Sequence, residues 1–159
     1  MKATSIAPSN IAFTKYWGKK NEKLKLPENG SVSMCLSNLQ TTTTVEFSKK
    51  HIKDQITLNG QILPEKDAEK IVDQLNLVRK LANIKQYAKI VSKNSFPTGT
   101  GLSSSASGFA ALTQAAAKAA DLNLSEKELS ILARKGSGSA CRSIPSGFVE
   151  WQDGANDQT

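Results

Sequence analysis

The spacing of apolar positions along this chain changes period more than once, and each change marks an element. Ser5 to Trp17 mixes polar and apolar positions as a strand does, and closes on Lys15-Tyr16-Trp17-Gly18-Lys19. A turn-rich stretch through Pro27, Asn29 and Gly30 follows. Ser31 to Leu36 then alternates, and Thr41-Thr42-Thr43-Thr44-Val45-Glu46-Phe47 is β-branched, so two more strands are expected. Gln55–Leu58 and Gln61–Leu63 flank Asn59-Gly60, a pair that tolerates the positive φ of a tight hairpin turn. From Asp67 the period lengthens. Ile71, Leu75, Val78 and Ala82 share one face of an amphipathic helix. Gln86 to Ser92 reads as a strand, and the alanine-rich run Phe109 to Ala120 as a strong helix former. Ser125 with Glu128 forms a capping box for a helix through Lys135, which Gly136 ends. Gly147 to Trp151 is a final strand candidate, before a polar tail from Gln152 to Thr159. No internal repeat or interdomain linker interrupts this series.

Between the strand near Ser92 and the alanine-rich helix lies Pro97-Thr98-Gly99-Thr100-Gly101-Leu102-Ser103-Ser104-Ser105-Ala106-Ser107-Gly108. Glycines let a backbone approach a ligand closely, and the free N–H groups and dipole at a helix start favour an anion. Serine hydroxyls add donors for phosphate oxygens or a cation. Glycine and serine also make flexible linkers, but linkers do not run without a break into a strong helix former. Neither standard phosphate loop fits. No lysine follows Gly101 or Gly108, and Ser104 stands where the dinucleotide fingerprint needs its third glycine.

Length and composition narrow the class. The 159 residues suit one domain able to bury a core, with 38% hydrophobic and 22% charged residues. No apolar run approaches a membrane span, no signal peptide is visible, and a cytoplasmic location is expected. Cys35 and Cys141 have no metal-ligand spacing and read as buried thiols of a reducing compartment. A net charge of +7 favours anionic partners, although the lysines are dispersed and carry no aromatic-interleaved RNA motif. The single histidine, His51, reads as a solvated surface residue. Without a Gly-x-Ser-x-Gly elbow, a serine hydrolase is disfavoured.

Three segments stand apart from ordinary folding signals: Asn10 to Lys19, Pro97 to Gly108, and Gly136-Ser137-Gly138-Ser139-Ala140-Cys141-Arg142-Ser143. The last is a small-residue turn carrying hydroxyls and a guanidinium suited to a carboxylate or phosphate. Together with Gly147-Phe148-Val149-Glu150-Trp151, they resemble the diphosphomevalonate decarboxylases of the GHMP kinase superfamily, in the right order and from about Ala7 to Gln152. The serine loop alone indicates only the superfamily. The Lys-Tyr-Trp-Gly-Lys and Ser-Gly-Ser-Ala-Cys-Arg segments are more specific, and point away from homoserine, galactose and mevalonate kinases.

The resemblance implies an α+β fold: a mostly antiparallel sheet backed by helices, with the left-handed βαβ unit of a ribosomal-protein-like GHMP N-terminal domain. It implies conversion of mevalonate 5-diphosphate to isopentenyl diphosphate with ATP and Mg2+, within isoprenoid and lipid biosynthesis. Tyr16, Trp17, Gly18 and Lys19 would hold the substrate diphosphate. Ser137, Gly138, Ser139, Ala140, Cys141 and Arg142 would line the mevalonate end, with Arg142 on the carboxylate and Arg142 and Ser139 closest to the chemistry. Pro97, Gly99, Gly101, Leu102, Ser103, Ser104, Ser105 and Ser107 would wrap the ATP phosphates, and Ser104 and Ser105 would reach magnesium.

Two departures from the family pattern matter. Relatives are about twice as long, and their second half supplies a catalytic aspartate. Residues 1–159 are therefore expected to be a GHMP N-terminal domain whose C-terminal partner is absent, through truncation, a split gene or an incomplete gene model. Such a half would turn over little or nothing unless the other half joined it as a separate chain, and it would expose an apolar patch. Full-length relatives are expected to be homodimers. Gln61 also stands where some relatives place a substrate-contacting arginine. Other readings are a phosphomevalonate decarboxylase, a mevalonate 3-kinase, or a basic RNA-binding module, although neither nucleic acid nor membrane is the expected partner.

Overall fold

A computed structural model describes residues 1–15, 18–97 and 104–153. In chain order these form β1 (Lys2–Thr14), β2 (Lys19–Asn21), β3 (Leu26–Pro27), β4 (Ser31–Ser48), β5 (Gln55–Leu58), β6 (Gln61–Ile62) and α1 (Glu65–Ala82). Then follow β7 (Tyr87–Asn94), α2 (Ser104–Ala119), α3 (Glu126–Gly136), a 3-10 helix (Gly138–Ser143) and β8 (Phe148–Trp151). None of the described helices is long and apolar enough to cross a membrane.

The main sheet runs β1-β4-β7-β5-β6, with β8 paired to the first residues of β4. Every pairing is antiparallel except β5 with β7, which are joined through β6 and α1 as a βαβ unit. This is the α+β layout expected from sequence. One correction concerns β4. The two strands expected at Ser31–Leu36 and Thr41–Phe47 are one 18-residue strand. Ser95 bridges the gap, accepting from Gln40 N and donating to Asn38 O.

The helices cover one face of the sheet. Val45, Phe47, Ala88 and Ile90 point from the strands into a core with Leu75 and Val78 of α1 and Leu112, Ala115 and Ala116 of α2. The α1 face is thus the one its periodicity predicts. The Asn59-Gly60 hairpin has positive φ at both residues, 50° and 84°. The Ser125–Glu128 capping box forms as read: Ser125 Oγ accepts from Glu128 N, and Ser125 N donates to Glu128 Oε2. The Ser125 hydroxyl, with a smaller contribution from its backbone N–H, holds the Glu128 carboxyl below the usual carboxylate range.

The opposite face is open. Register aligns Ile11, Met34 and Phe148 across β1, β4 and β8. Phe13 and Phe148 stack there with ring centroids 6.2 Å apart, although 62% and 73% exposed. An exposed apolar patch is therefore present on this face. His51 departs from expectation: it is half buried, and its Nε2 has no partner among the described residues.

One buried ion pair ties α1 to the sheet. Arg79 reaches Asp54, whose Oδ1 also accepts from Ala88 N at the start of β7, and Arg79 Nε donates to Gln86 O. Both side chains are about nine-tenths buried, so losing one partner strands the other in a poorly solvated place. Asp54→Ala should lower unfolding stability by about 3 kcal/mol, read from urea melts, whereas an exposed pair such as Lys53–Glu65 should contribute under about 1 kcal/mol.

Candidate functional site

A register shift in β1 starts the site. Ala3, Ser5 and Ala7 face the helices, but pairing with β4 slips between Pro8 and Ser9. A bulge of this kind exchanges the faces of every later residue. Asn10 consequently turns inward and is 2% exposed, while Ile11 and Phe13 turn out. Asn10 Nδ2 donates to Ser139 O at 3.1 Å and to Ser143 Oγ at 2.7 Å, pinning both ends of the 3-10 turn. Its Oδ1 accepts from Arg142 Nε at 3.4 Å.

Arg142 is 5% exposed. Nη1 donates to Ser31 Oγ at 2.6 Å, and the guanidinium lies 5.7 Å from the centre of the Trp151 ring. Ser31 and Trp151 are opposite each other in the β4–β8 register, so one rung of the sheet supplies both contacts. A cation over an indole gains electrostatic attraction that strengthens out of water. Arg142 also lines a cavity of about 370 Å³ with Arg134, Cys141, Lys127, Glu150 and Trp151. Arg134 is 1% exposed, so two buried guanidinium groups share this wall. Guanidinium groups suit a carboxylate or phosphate, while Glu126 and Glu150 on the same lining offset part of their charge.

The turn leaves α3 at Gly136, and the reason for glycine differs from the expected cap. Gly136 is the last helical residue, and the cap is Ser137 in extended conformation. A Cβ at Gly136 would lie 2.3 Å from Phe109 Cδ1 and 2.8 Å from Gln74 Oε1, so only glycine fits where α1, α2 and α3 meet. Lys25 closes the fourth side, its Nζ donating to Gly136 O at 2.6 Å. The β2–β3 hairpin that carries Lys25 also carries Lys19, which pairs with Glu22 at 2.9 Å. Gly18 stands at φ +76°, where a Cβ would meet Glu28 Cγ at 2.9 Å.

The third segment opens α2. Ser104 is half buried and Ser105 exposed. Both line a cavity of about 190 Å³ with Thr43, Ile56, Ile90 and Phe109, between the sheet and α1. A mostly apolar cavity at a helix N-terminus can take an apolar ring whose phosphates reach the helix start. Among the described residues no cluster of three His, Cys, Asp or Glu could hold a metal. A magnesium ion here would rely on hydroxyls, waters and phosphate oxygens.

The site residues named from sequence fall in three groups. Tyr16, Trp17, Gly99, Gly101, Leu102 and Ser103 lie outside the described residues. Gly18, Lys19, Pro97, Ser105, Ser137 and Ser139 keep exposed or half-exposed surface. Ser107, Ala140, Cys141 and Arg142 are buried. Ser107 is wholly buried, sharing a 2.7 Å hydrogen bond with Thr41 Oγ1 and donating to Ser104 O, so it anchors α2 to β4. Ala140 has no exposed surface and its N–H goes to Ser137 O, which gives it a role in shaping the turn. Gly138 is also buried, and its O accepts from the Cys141 thiol at 3.1 Å. Sequence reading left Asn10, Ser31, Trp151 and Lys25 without roles. Asn10 heads the Asn10–Lys19 segment and Trp151 ends the Gly147–Trp151 segment, whereas Ser31 and Lys25 have no local sign.

The three comparisons agree. A profile described as the diphosphomevalonate decarboxylase-like N-terminal domain matches residues 7–159. The chain belongs to that family. Diphosphomevalonate decarboxylase-like relatives include the Candida albicans diphosphomevalonate decarboxylase, 48% identical over 96% of this chain and 45% of its own length. The Saccharomyces cerevisiae enzyme is 43% identical over 96% of this chain and 42% of its own. Mevalonate diphosphate decarboxylase from Enterococcus faecalis superposes with a TM-score of 0.95 at 49% identity, covering all of this chain and 50% of that one. A further neighbour, TM-score 0.94 and 49% identical over all of this chain and 49% of its own, was solved with MVAPP, AMPPCP and magnesium. The chain spans about half the length of the curated relatives it matches.

Both cysteines of this domain are free thiols, Cys141 buried and Cys35 only half buried. Burial pushes the Cys35 thiol up, and pushes the Cys141 thiol from 9.0 to about 12 against the opposing pull of Arg142 and Arg134. The fold therefore retains a proton that the unfolded chain loses first. Its contribution to stability is whole below pH 9.0 and falls as pH rises towards about 12. Urea melts at about pH 8 and about pH 10.5 should show a loss near 1 kcal/mol per pH unit that Cys141→Ala lacks.

Proposed function

We propose that this chain is the ATP- and substrate-binding half of an enzyme that decarboxylates mevalonate 5-diphosphate to isopentenyl diphosphate. The observation that carries the reading is the buried Arg142, held by Asn10, Ser31 and Trp151 at the wall of a cavity. A guanidinium fixed on three sides can meet a carboxylate in one orientation, which is what loss of carbon dioxide from a defined carbon requires. The family membership and the neighbour solved with MVAPP, AMPPCP and magnesium support it from outside.

In this reading ATP supplies the phosphoryl group that makes a tertiary hydroxyl a good leaving group. The domain's share is positioning and charge. Lys19, with Tyr16, Trp17 and Gly18, would hold the diphosphate tail. Ser137, Gly138 and Ser139 would face the mevalonate end, and Arg142 would orient the carboxylate and shield it from water. Ser104 and Ser105, beside the apolar slot, would meet nucleotide phosphates and magnesium. No described aspartate stands in this constellation as a base for the 3-hydroxyl, and we assign that group to the second half of the enzyme. The reading carries with it a cytoplasmic enzyme of isoprenoid biosynthesis and a homodimer of full-length subunits.

Calorimetry on the chain alone should detect mevalonate 5-diphosphate binding, with little or no carbon dioxide release. Arg142→Lys should weaken binding at least tenfold, because lysine lacks the planar fork and cannot reach Asn10 and Ser31 together. Equal affinity for mevalonate lacking its phosphates would overturn the diphosphate assignment. Full turnover without a second polypeptide would overturn the division of labour.

A further inference from the structure

One cavity lies beside the site above and shares Lys25 and Gly136 with it. It measures about 450 Å³ and lies between α1, the end of α3 and the β2–β3 hairpin. Lys25, Lys70, Lys80 and Lys135 line it, against a single carboxylate, Asp73. We propose that this cavity binds a phosphate-bearing anion, with the four lysines as its positive wall.

Helix ends account for only part of this charge. Lys80 and Lys135 stand in the last turns of α1 and α3, where a cation opposes the helix dipole. Lys70 is in the middle of α1, and Lys25 comes from a separate hairpin. Lys25 is half buried and fixed by its 2.6 Å bond to Gly136 O. Burial first, then the charges of Lys70 and Lys19, push its ammonium below the ordinary lysine range, while Glu22 opposes them. Like charges gathered in a concave surface raise its energy, and an anion among them removes that repulsion. Asn76 adds a polar group to the wall, its Oδ1 engaged by Arg79 Nη1.

The wall also indicates what kind of anion fits. Lysines are compact, mobile point charges without the planar fork of arginine, so they gather multiply charged oxygens without demanding one geometry. A phosphate or diphosphate answers that description, and the volume leaves room for two phosphoryl groups. The cavity adjoins the carbonyl of Gly136, one residue before Ser137, and shares its hairpin with Lys19. The phosphoryl group therefore has two possible sources: the tail of a bound diphosphate substrate, or free inorganic phosphate or diphosphate.

Titrating inorganic diphosphate into the chain at low ionic strength tests the site without calling on the decarboxylase reading. Wild type should bind one equivalent saturably, with affinity falling as salt rises. Lys70→Gln/Lys80→Gln removes two exposed side chains of α1 and should weaken binding about tenfold with an unchanged thermal melt. Lys53→Gln/Lys66→Gln removes the same charge from the groove lined by Lys53, Glu65, Lys66 and Glu69 and should change affinity less than about twofold. Absence of saturable binding, or equal weakening in both double variants, would overturn the proposal. A second titration, with mevalonate 5-diphosphate present, names the source. Displacement assigns the site to the substrate's own tail; simultaneous binding assigns it to a free anion. Failure of mevalonate 5-diphosphate to bind, with inorganic diphosphate still bound, would count against the decarboxylase and leave this site standing.

Discussion

A guanidinium taken out of water costs several kcal/mol unless its donors find acceptors, and Arg142 is where this domain meets that constraint. Its acceptors come from three distant parts of the chain: Asn10 on β1, Ser31 at the start of β4, and the Trp151 ring at the end of β8. None of these contacts exists until the sheet is assembled. The charge is thus stable only in the native register, and the site exists only where the fold is correct.

The slip in β1 is what makes this possible. Without it, residues of one parity along the strand would all face the helices, and Asn10 would sit with Ile6 on the open side. The shift between Pro8 and Ser9 changes parity at that point, and proline, with no N–H to give to a ladder, fits the break. The same exchange sends Ile11 and Phe13 outward. An inward Asn10 and an apolar open face therefore arise from one backbone event.

Local periodicity made several elements legible in the sequence. The α1 face, the Asn59-Gly60 hairpin and the Ser125 capping box each depend on residues within a turn or two of one another. The continuous β4 is not legible, because Ser37 to Gln40 lacks β-branched residues, and its pairing with β1 skips Ser37 to Leu39 while Ser95 holds Asn38 and Gln40. Gly136 was noticed for the wrong reason: it looks like a backbone device and is a packing device, and only the position of Phe109 distinguishes the two. Arg142 is marked by its turn and Trp151 by the Gly147–Trp151 segment, but Ser31 is silent. It resembles any strand serine until register brings it opposite Trp151.

Alanine in α2 connects the two halves of the site. Ala110, Ala111, Ala115, Ala116 and Ala117 are all buried, so this helix is enclosed on most sides and cannot use long side chains to fill space. Short ones let its axis lie close to β1 and β4, near enough for Ser107 to bond Thr41 at 2.7 Å and for Ser5 to reach Gln114. Ala110 and Ala111 pack with Ala7 and Ile144, just beyond the end of the turn that carries Arg142. The N-terminus of that helix meets the apolar slot, while its flank supports the arginine turn. A larger residue at Ala110 or Ala111 would separate helix from sheet and move both sites together, because one rigid element sets the distance between them.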